Sequence, residues 1–332
     1  MTLPRSAAKG GLAAFLATGA GLAVHRLAAR REAEWEARWQ PTGRFIDVDG
    51  TRVHVHVEGE GPDLVLIHGA GGNMRDFTFS LMPRLARTHR VIAIDRPGMG
   101  YTGRTRPEYV EAFSTEAETP REQADLMVRA ARQLGAERPV VLGHSFGGTI
   151  ALAWACYFPD SVAALVLLGA ASNRWKGGLG PTYEVNGTPV GGAAVVPMLT
   201  AFGPQSKLRS IVRQTFHPNA MPEGYADHLG AELTLRRDAL RANARQVNNL
   251  KPHIIAMEGI YPSLTLPIER IHGAADRTVP FDIHAAPFQD MVPHTNLLRL
   301  EGVGHMPHHV AEDETAAAVD RAVAAARDVS IA

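Results

Sequence analysis

The chain has 332 residues, a length that fits one domain with an insertion and a tail. Hydrophobic residues make up 45% of it and charged residues 20%, which excludes global disorder. Lys and Arg (34) balance Asp and Glu (34), so no overall positive field favours a nucleic-acid partner, and the single cysteine, Cys156, excludes an intramolecular disulfide.

The N-terminal residues 1–43 form a tail of unusual composition. Residues 10–24 (GGLAAFLATGAGLAV) carry no charge and have basic residues on both sides. As a helix this segment is about 22 Å long, short of a bilayer core of roughly 30 Å, but flanking Arg and Lys side chains extend to the interface. The pattern favours an uncleaved membrane anchor and a membrane-associated protein, followed by an exposed stalk at residues 30–39. A cleaved signal peptide with export, or a solvated or docked helix in a cytoplasmic protein, are the alternatives.

A folded core is predicted to begin at Arg44, with its first part spanning residues 44–172. Apolar and polar residues alternate on both sides of Asp49-Gly50, which predicts a hairpin of two antiparallel strands. In the second strand His54 and His56 share one face, and we expect them to face solvent rather than to bind a metal.

Short apolar runs then alternate with helical patterns, which is typical of parallel strands buried on both faces of a doubly wound sheet. The alternation lapses over residues 173–262, which we interpret as a helical cap inserted into the core, and resumes over residues 263–332. The predicted strands are 64–67, 91–94, 140–142, 164–168, 268–271 and 297–300, and the predicted helices are 74–87, 119–134, 145–157, one after Pro280, and 310–326.

The clearest chemical motif is GHSFG at residues 143–147, between a predicted buried strand and an apolar helix. This is the G-x-S-x-G turn that exposes a serine nucleophile, here Ser145. Its glycines are required because side chains at positions 143 and 147 would collide with the neighbouring strand and helix. A chance match has a probability of roughly one in ten at this composition, so the strand-turn-helix context carries the prediction.

A serine hydroxyl needs a base that a carboxylate holds in the right tautomer. Asp276 lies in the loop HGAADRTVP after one predicted strand, and His305 lies in the loop EGVGHMPHH after the next. The chain order Ser, Asp, His is that of an α/β-hydrolase. We therefore predict Ser145 as the nucleophile, His305 as the general acid and base, and Asp276 as its orienting acid.

With these motifs the sequence resembles the α/β-hydrolase superfamily over residues 44–328. Two further motifs carry the resemblance: HGAGGN at residues 68–73 is similar to the family's oxyanion loop, and DRPGMG at residues 95–100 is similar to a structural turn of the family. The resemblance implies an α/β-hydrolase fold, a mostly parallel doubly wound sheet with a helical cap, preceded here by an apolar N-terminal helix. It also implies that the backbone N–H groups of Ala70 and Phe146 hold the oxyanion.

Other polar residues near these motifs are expected to be structural. We expect His68, His144 and Asp95 to support loops rather than to react. His308 and His309 share a loop with the predicted base, but no partnering carboxylate or cysteine pattern accompanies them, so no metal site is predicted.

The leading functional prediction is cleavage of a carboxylic ester or thioester in a small acyl-containing molecule, without a cofactor. A serine nucleophile argues against the family's haloalkane dehalogenases and epoxide hydrolases, which use Asp there. A carbon-carbon bond hydrolase or a cofactor-free haloperoxidase-like enzyme is the main alternative, and a non-catalytic binding protein is another. In the cap, Arg237, Arg241 and Arg245 share one helix face. Its alternatives are a face that favours anionic lipids or acyl groups and a solvated face, and we expect the solvated face.

Overall fold

The computed structural model describes the backbone of residues 5–331 and the side chains of residues 19–327. Eight strands form one sheet in the order β1-β2-β4-β3-β5-β6-β7-β8. Strand β2 runs antiparallel to both of its neighbours, and every other pair is parallel. The strands are β1 (Arg44–Val48), β2 (Thr51–Glu58), β3 (Asp63–Ile67), β4 (Arg90–Ile94), β5 (Val140–His144), β6 (Ala164–Leu168), β7 (Ile268–Gly273) and β8 (Asn296–Leu300).

Helices cover both faces of this sheet, so the predicted fold class is confirmed. In chain order the α-helices of the described part are α1 (Arg5–Arg38), α2 (Arg75–Thr78), α3 (Leu81–Leu85), α4 (Pro120–Gln133), α5 (Phe146–Tyr157), α6 (Pro181–Asn186), α7 (Val196–Phe202), α8 (Gln205–Thr215), α9 (Tyr225–Leu229), α10 (Arg237–Asn248), α11 (Leu250–Glu258), α12 (Phe281–Met291), α13 (Pro307–Val310) and α14 (Glu312–Ile331).

The central strands explain why the sequence reads as continuous apolar runs. Val65 and Ile67 of β3 belong to the hydrophobic core on one face of the sheet. Leu64 and Leu66 belong to the core on the other face. Because successive side chains of a strand point in opposite directions, a strand between two helical layers has no polar face.

The hairpin β1-β2 forms as predicted, but one of its histidines is not exposed. Asp49 and Gly50 both have positive φ (49° and 83°), as the tight hairpin turn requires. The expectation that His54 faces solvent is wrong, because its side chain is 2% exposed. Its Nδ1 lies 2.7 Å from Oδ2 of Asp95, so the strand supports the turn that follows β4.

The predicted helix 74–87 is divided into α2 and α3. Pro83 has no N–H to bond to a carbonyl one turn earlier, which favours a break before it, and it lies in the first turn of α3. The helix predicted at 119–134 begins with a capping box, in which the Thr119 side chain accepts from the Glu122 N–H and the Glu122 side chain accepts from the Thr119 N–H.

Between β6 and β7 the chain forms helices α6 to α11, and the described residues there contain no strand. The exact limits of the cap, 173 and 262, stay a prediction.

The expectation that the arginines of helix α10 form a solvated face is wrong. Arg241 and Arg245 are 6% and 1% exposed. They donate to backbone carbonyls, Arg241 to that of Gly192 and Arg245 to those of residues 109, 111 and 112, so they join parts of the protein rather than face a substrate.

The membrane-anchor prediction is wrong, because no helix among the described residues is long and apolar enough to cross a membrane. Residues 10–18 of the predicted apolar segment lie outside the residues whose side chains are described. The predicted stalk at residues 30–39 is not exposed along its whole length, since Trp35 is 4% exposed.

The second half of α1 instead docks against the cap. Arg31 donates to the carbonyls of Ala201 and Gly203 at 2.9 and 3.1 Å. The Glu32 carboxylate accepts hydrogen bonds of 2.6 to 2.9 Å from the backbone and side chain of Arg237. Burial alone would raise the pKa of Glu32, but these contacts with Arg237 outweigh it and lower the pKa. The helix therefore supports the cap through both packing and charge.

This docking makes a prediction about stability. Trp35→Ala should lower the free energy of unfolding by about 3 kcal/mol, because truncating a buried aromatic side chain leaves a cavity. Urea unfolding followed by circular dichroism measures the change. Glu34→Ala, on an exposed part of the same helix, is the matched control and should change the free energy by less than about 0.5 kcal/mol. Equal effects of the two substitutions would contradict the docking.

Candidate active site

The predicted nucleophile lies at the sharp turn between β5 and α5. Ser145 has φ 54° and ψ −118°, a conformation that side chains rarely adopt. A Cβ at Gly143 would lie 2.3 Å from the Gly147 carbonyl oxygen, and a Cβ at Gly147 would lie 2.1 Å from that of Ile67. The expected collisions with helix and strand are therefore present, and only glycine fits at both positions.

The loops after β7 and β8 bring Asp276 and His305 together. The Nδ1 atom of His305 lies 2.7 Å from Oδ2 of Asp276. The other carboxylate oxygen accepts from the backbone N–H groups of Thr278 and Val279 at 2.8 and 2.9 Å. With Nδ1 donating to the carboxylate, Nε2 of His305 is the unprotonated nitrogen, which is the tautomer a general base needs.

Asp276 is held in its charged form. Burial would raise the pKa of its carboxyl group, but the charge and hydrogen bond of His305 and the Val279 N–H outweigh burial and lower the pKa. The neighbouring His272 does not compete with His305 for the role of general base. Burial, assisted by the charge of Arg270, lowers the pKa of His272 to about 3, and its Nε2–H donates to the Val279 carbonyl.

The predicted oxyanion donors have free N–H groups. The loop at residues 68–73 approaches the turn that carries Ser145 so closely that a Cβ on Gly69 would lie 3.2 Å from Cβ of Ser145. Neither the Ala70 N–H nor the Phe146 N–H donates to any group in the described part of the chain. Phe146 is the first residue of α5, where the helix dipole adds positive potential. Both N–H groups are thus available to a negatively charged oxygen.

Three residues expected to be structural support these loops. His68 accepts from the Arg96 N–H through Nε2 at 3.0 Å, and burial, with the charge of Arg96, lowers its pKa to about 4, so it stays neutral. Asp95 accepts from the N–H groups of Met74 and Tyr101. His144 lies 2.8 Å, through Nε2, from the His305 carbonyl oxygen and thereby joins the nucleophile turn to the histidine loop.

The sequence model of the Alpha/beta hydrolase family matches residues 64–318. The chain belongs to this family. Proteins similar to this chain include esterases and other hydrolases, so this protein is an enzyme, and the interpretation as a non-catalytic binding protein is set aside.

Relatives of this α/β-hydrolase differ in what is known of them. An uncharacterised protein of Mycobacterium tuberculosis is 27% identical over 282 residues, which are 81% of this chain and 77% of the relative. The 2-hydroxymuconate semialdehyde hydrolase of a Pseudomonas strain is 37% identical over 132 residues, 39% of this chain and 44% of the relative. The solved structure of an esterase from Exiguobacterium antarcticum is similar in fold, with a TM-score of 0.66 at 22% identity over 85% of this chain and 99% of the esterase.

The cap of this hydrolase bonds to the oxyanion loop at Gly71, whose φ of 62° turns the chain beside Ala70, and also at Asn73, whose side chain donates to the Leu229 carbonyl at 3.0 Å. The Gly71 N–H donates to Oδ1 of Asn243 at 2.7 Å, and the Thr234 hydroxyl donates to the Gly71 carbonyl at 2.6 Å. Since Thr234 and Asn243 come from different parts of the cap, the orientation of the peptide groups around Ala70 depends on where the cap lies.

Another cap residue, Asn219, holds the histidine loop. The Asn219 side chain accepts from the Gly304 N–H at 2.9 Å and donates to the Gly302 carbonyl at 3.0 Å. These two bonds fix the backbone immediately before His305. Both loops of the site are therefore connected to the cap by paired hydrogen bonds.

A buried network lies behind the predicted base. The prediction that His308 and His309 lack a carboxylate is wrong, because Nε2 of each lies near Asp76, at 3.2 and 2.8 Å. Tyr225 donates to the same carboxylate at 2.6 Å. Burial would raise the pKa of Asp76, but the charges and hydrogen bonds of His308 and His309 outweigh it and hold the pKa well below its ordinary value.

Asp76, His144 and His308 offer three possible metal-ligand atoms within 4.8 Å of one another, the one such group in the described part of the chain. The atoms that Asp76 and His308 offer already form hydrogen bonds with each other. Hydrogen bonding accounts for that pair, and the absence of a metal stays a prediction.

Sequence patterns located the candidate triad and the candidate oxyanion donors, and they missed the residues that hold the loops of the site. Asn219, Thr234 and Asn243 lie in the cap, far along the chain from the loops they bind, and no motif includes them. Asp76 follows the oxyanion loop by a few residues, so its proximity to that motif was the one available signal.

The bonds to Gly71 predict a loss of turnover without a loss of substrate binding. Asn243→Ala and Thr234→Val should each lower kcat about tenfold and change KM little. An oxyanion donor acts mainly in the transition state, so its misalignment slows turnover without weakening substrate binding. Steady-state kinetics with any ester that the enzyme hydrolyses measures both constants. Thr234→Ser keeps the hydroxyl and should restore most of the loss.

Asn249→Ala is the matched control for these variants, since Asn249 is exposed next to the same helix and bonds to the Thr115 carbonyl. It should keep kcat unchanged. If Asn243→Ala also kept kcat unchanged while remaining folded, the cap would not position the oxyanion loop.

Proposed function

We propose that this α/β-hydrolase cleaves a carboxylic ester or thioester of a small molecule through an acyl-enzyme on Ser145. The observation that supports this most is the pair of unbonded N–H groups at Ala70 and Phe146, beside a serine at the apex of a strand-to-helix turn. Acyl transfer passes through a tetrahedral intermediate whose oxygen carries negative charge, and two such donors stabilise it.

The proposed reaction has two halves. His305 removes the proton from the Ser145 hydroxyl as its oxygen attacks the carbonyl carbon, and the N–H groups of Ala70 and Phe146 receive the oxyanion. The carbon-oxygen or carbon-sulfur bond breaks, and His305 gives its proton to the leaving group. Water, deprotonated by His305, then attacks the acyl-enzyme. The bond between the acyl carbon and the Ser145 oxygen breaks, and His305 returns the proton to that oxygen as the acid leaves. Asp276 stabilises the imidazolium in both halves, and no step requires a cofactor.

A carbon-carbon bond hydrolase is the second candidate. It is supported by the 2-hydroxymuconate semialdehyde hydrolase, which is 37% identical over the 39% of this chain that aligns. The same serine, histidine and aspartate would serve that reaction. No observation favours the haloperoxidase-like alternative.

Substitutions in the proposed triad test these roles. Ser145→Ala and His305→Ala should each lower kcat by about 10⁴-fold or more, and Asp276→Asn should lower it by about 10²-fold or more because the imidazole tautomer is no longer fixed. Ester hydrolysis followed by absorbance gives the rates. Ser206→Ala, an exposed serine in α8, is the control and should retain wild-type kcat. A silent Asp276→Asn would mean that another carboxylate orients His305.

A comparison of substrates separates the two candidate functions. We expect turnover of p-nitrophenyl esters and little turnover of a dienoate-type diketone. Both are followed spectrophotometrically with the same enzyme preparation, and Ser145→Ala gives the background. Turnover of the diketone alone would reverse the proposal in favour of carbon-carbon bond hydrolysis.

A further inference from the structure

An open cleft of about 560 Å³ lies between the cap and the two loops that carry Asp276 and His305. Ser210, Arg213 and His217 line it from the cap side. Arg277, Thr278 and His305 line it from the core side. The volume falls within the range of small-molecule sites, which is roughly 300 to 1,000 Å³.

The side chains that line this cleft are all of polar or charged residues. Its described residues include neither an Asp or Glu nor an aliphatic or aromatic hydrocarbon side chain. Nearly all of them are hydrogen-bond donors, and two are arginines. A fatty acyl chain would meet only the methylene and methyl groups of polar residues here, whereas an anion would meet positive charge and donors.

The two arginines are available to a ligand. Arg213 and Arg277 are exposed, and neither forms a salt bridge with a carboxylate in the described part of the chain. By contrast, Arg209, one helical turn before Arg213, is already paired with Asp227. The cleft thus holds two guanidinium groups that no described carboxylate neutralises. Their fork of N–H donors suits the planar oxygens of a carboxylate or the tetrahedral arrangement of oxygens in a phosphate.

The position of the cleft indicates which part of a substrate it would hold. It reaches His305, whereas Ser145 is not part of its lining. In acyl transfer the general acid protonates the leaving group, so the leaving group lies on the histidine side of the scissile bond. The cleft therefore adjoins the leaving-group side rather than the acyl side.

We propose that this cleft binds an oxyanion, a carboxylate or a phosphate, carried on the leaving group of the substrate, through Arg213 and Arg277. This rests on the proposed ester hydrolysis and narrows its substrate class to esters of anionic alcohols. Because both arginines are exposed, the contribution is a preference among substrates rather than a requirement for turnover.

Esters that differ only in the charge of the leaving group test this subsite. The probes are 4-acetoxybenzoate, its neutral analogue 4-acetoxybenzamide, and 4-acetoxyphenyl phosphate. Each kcat/KM is divided by the rate of uncatalysed alkaline hydrolysis, which corrects for leaving-group reactivity. We expect at least one anionic ester to be preferred over the neutral one by about fivefold to tenfold, as for one or two exposed charge-assisted contacts. The anionic ester with the higher corrected kcat/KM shows whether the cleft prefers a carboxylate or a phosphate.

Arginine substitutions assign the preference to the cleft. Arg213→Gln and Arg277→Gln should each bring the ratio of anionic to neutral kcat/KM closer to one, and a ratio is insensitive to general damage. Arg299→Gln is the control, because Arg299 is exposed and paired with Glu301 outside the cleft. Its ratio should equal that of the wild type. A wild-type ratio of one or less, or a ratio that neither cleft variant changes, would overturn the subsite.

A binding experiment distinguishes failure of the proposed ester hydrolysis from failure of the anion subsite. If no ester is hydrolysed, calorimetry with Ser145→Ala measures binding of 4-hydroxybenzoate and 4-hydroxyphenyl phosphate directly. Binding that is lost when Arg213→Gln is added supports the subsite without the proposed reaction. Absence of binding by both anions overturns it.

Discussion

The site depends on one sharp turn in the backbone. Ser145 takes up a positive φ between β5 and α5, and two glycines let the helix pack against the sheet directly beyond it. This constraint places the serine at the carboxyl end of a central strand, where the loops after β3, β7 and β8 also converge. It also places the N–H of Phe146 at the start of a helix, so one turn provides both the proposed nucleophile and one proposed oxyanion donor.

Everything else in the site orients groups toward that turn. The core provides the carboxylate that holds His305, through a loop whose backbone N–H groups keep Asp276 charged. The cap fixes the oxyanion loop at Gly71 and the histidine loop at Gly304. Helix α1, in turn, supports the cap through Glu32 and Arg237. The N-terminal helix and the site are therefore connected by a continuous series of packed elements.

The sequence predicted the sheet and the candidate residues because both leave local patterns. Buried parallel strands read as short apolar runs, and the elbow, the oxyanion loop and the two later loops each follow such a run. Tertiary contacts leave no such pattern. Contacts between residues distant in the chain bury His54 and Trp35. They also pair Asp76 with His308 and give the cap arginines their backbone partners. The uncharged composition of residues 10–24 led to the prediction of a membrane anchor, which no helix among the described residues is long and apolar enough to form.

Reaction of the folded enzyme with a fluorophosphonate probe tests the central claim most directly. Attack by a serine oxygen displaces fluoride and leaves a phosphonyl group on the nucleophile, and the N–H groups of the oxyanion site assist it. Mass spectrometry of the digested protein should find the adduct on Ser145 alone, with labelling greatly slowed in His305→Ala. An adduct on another serine, or no adduct in folded protein, would contradict the account.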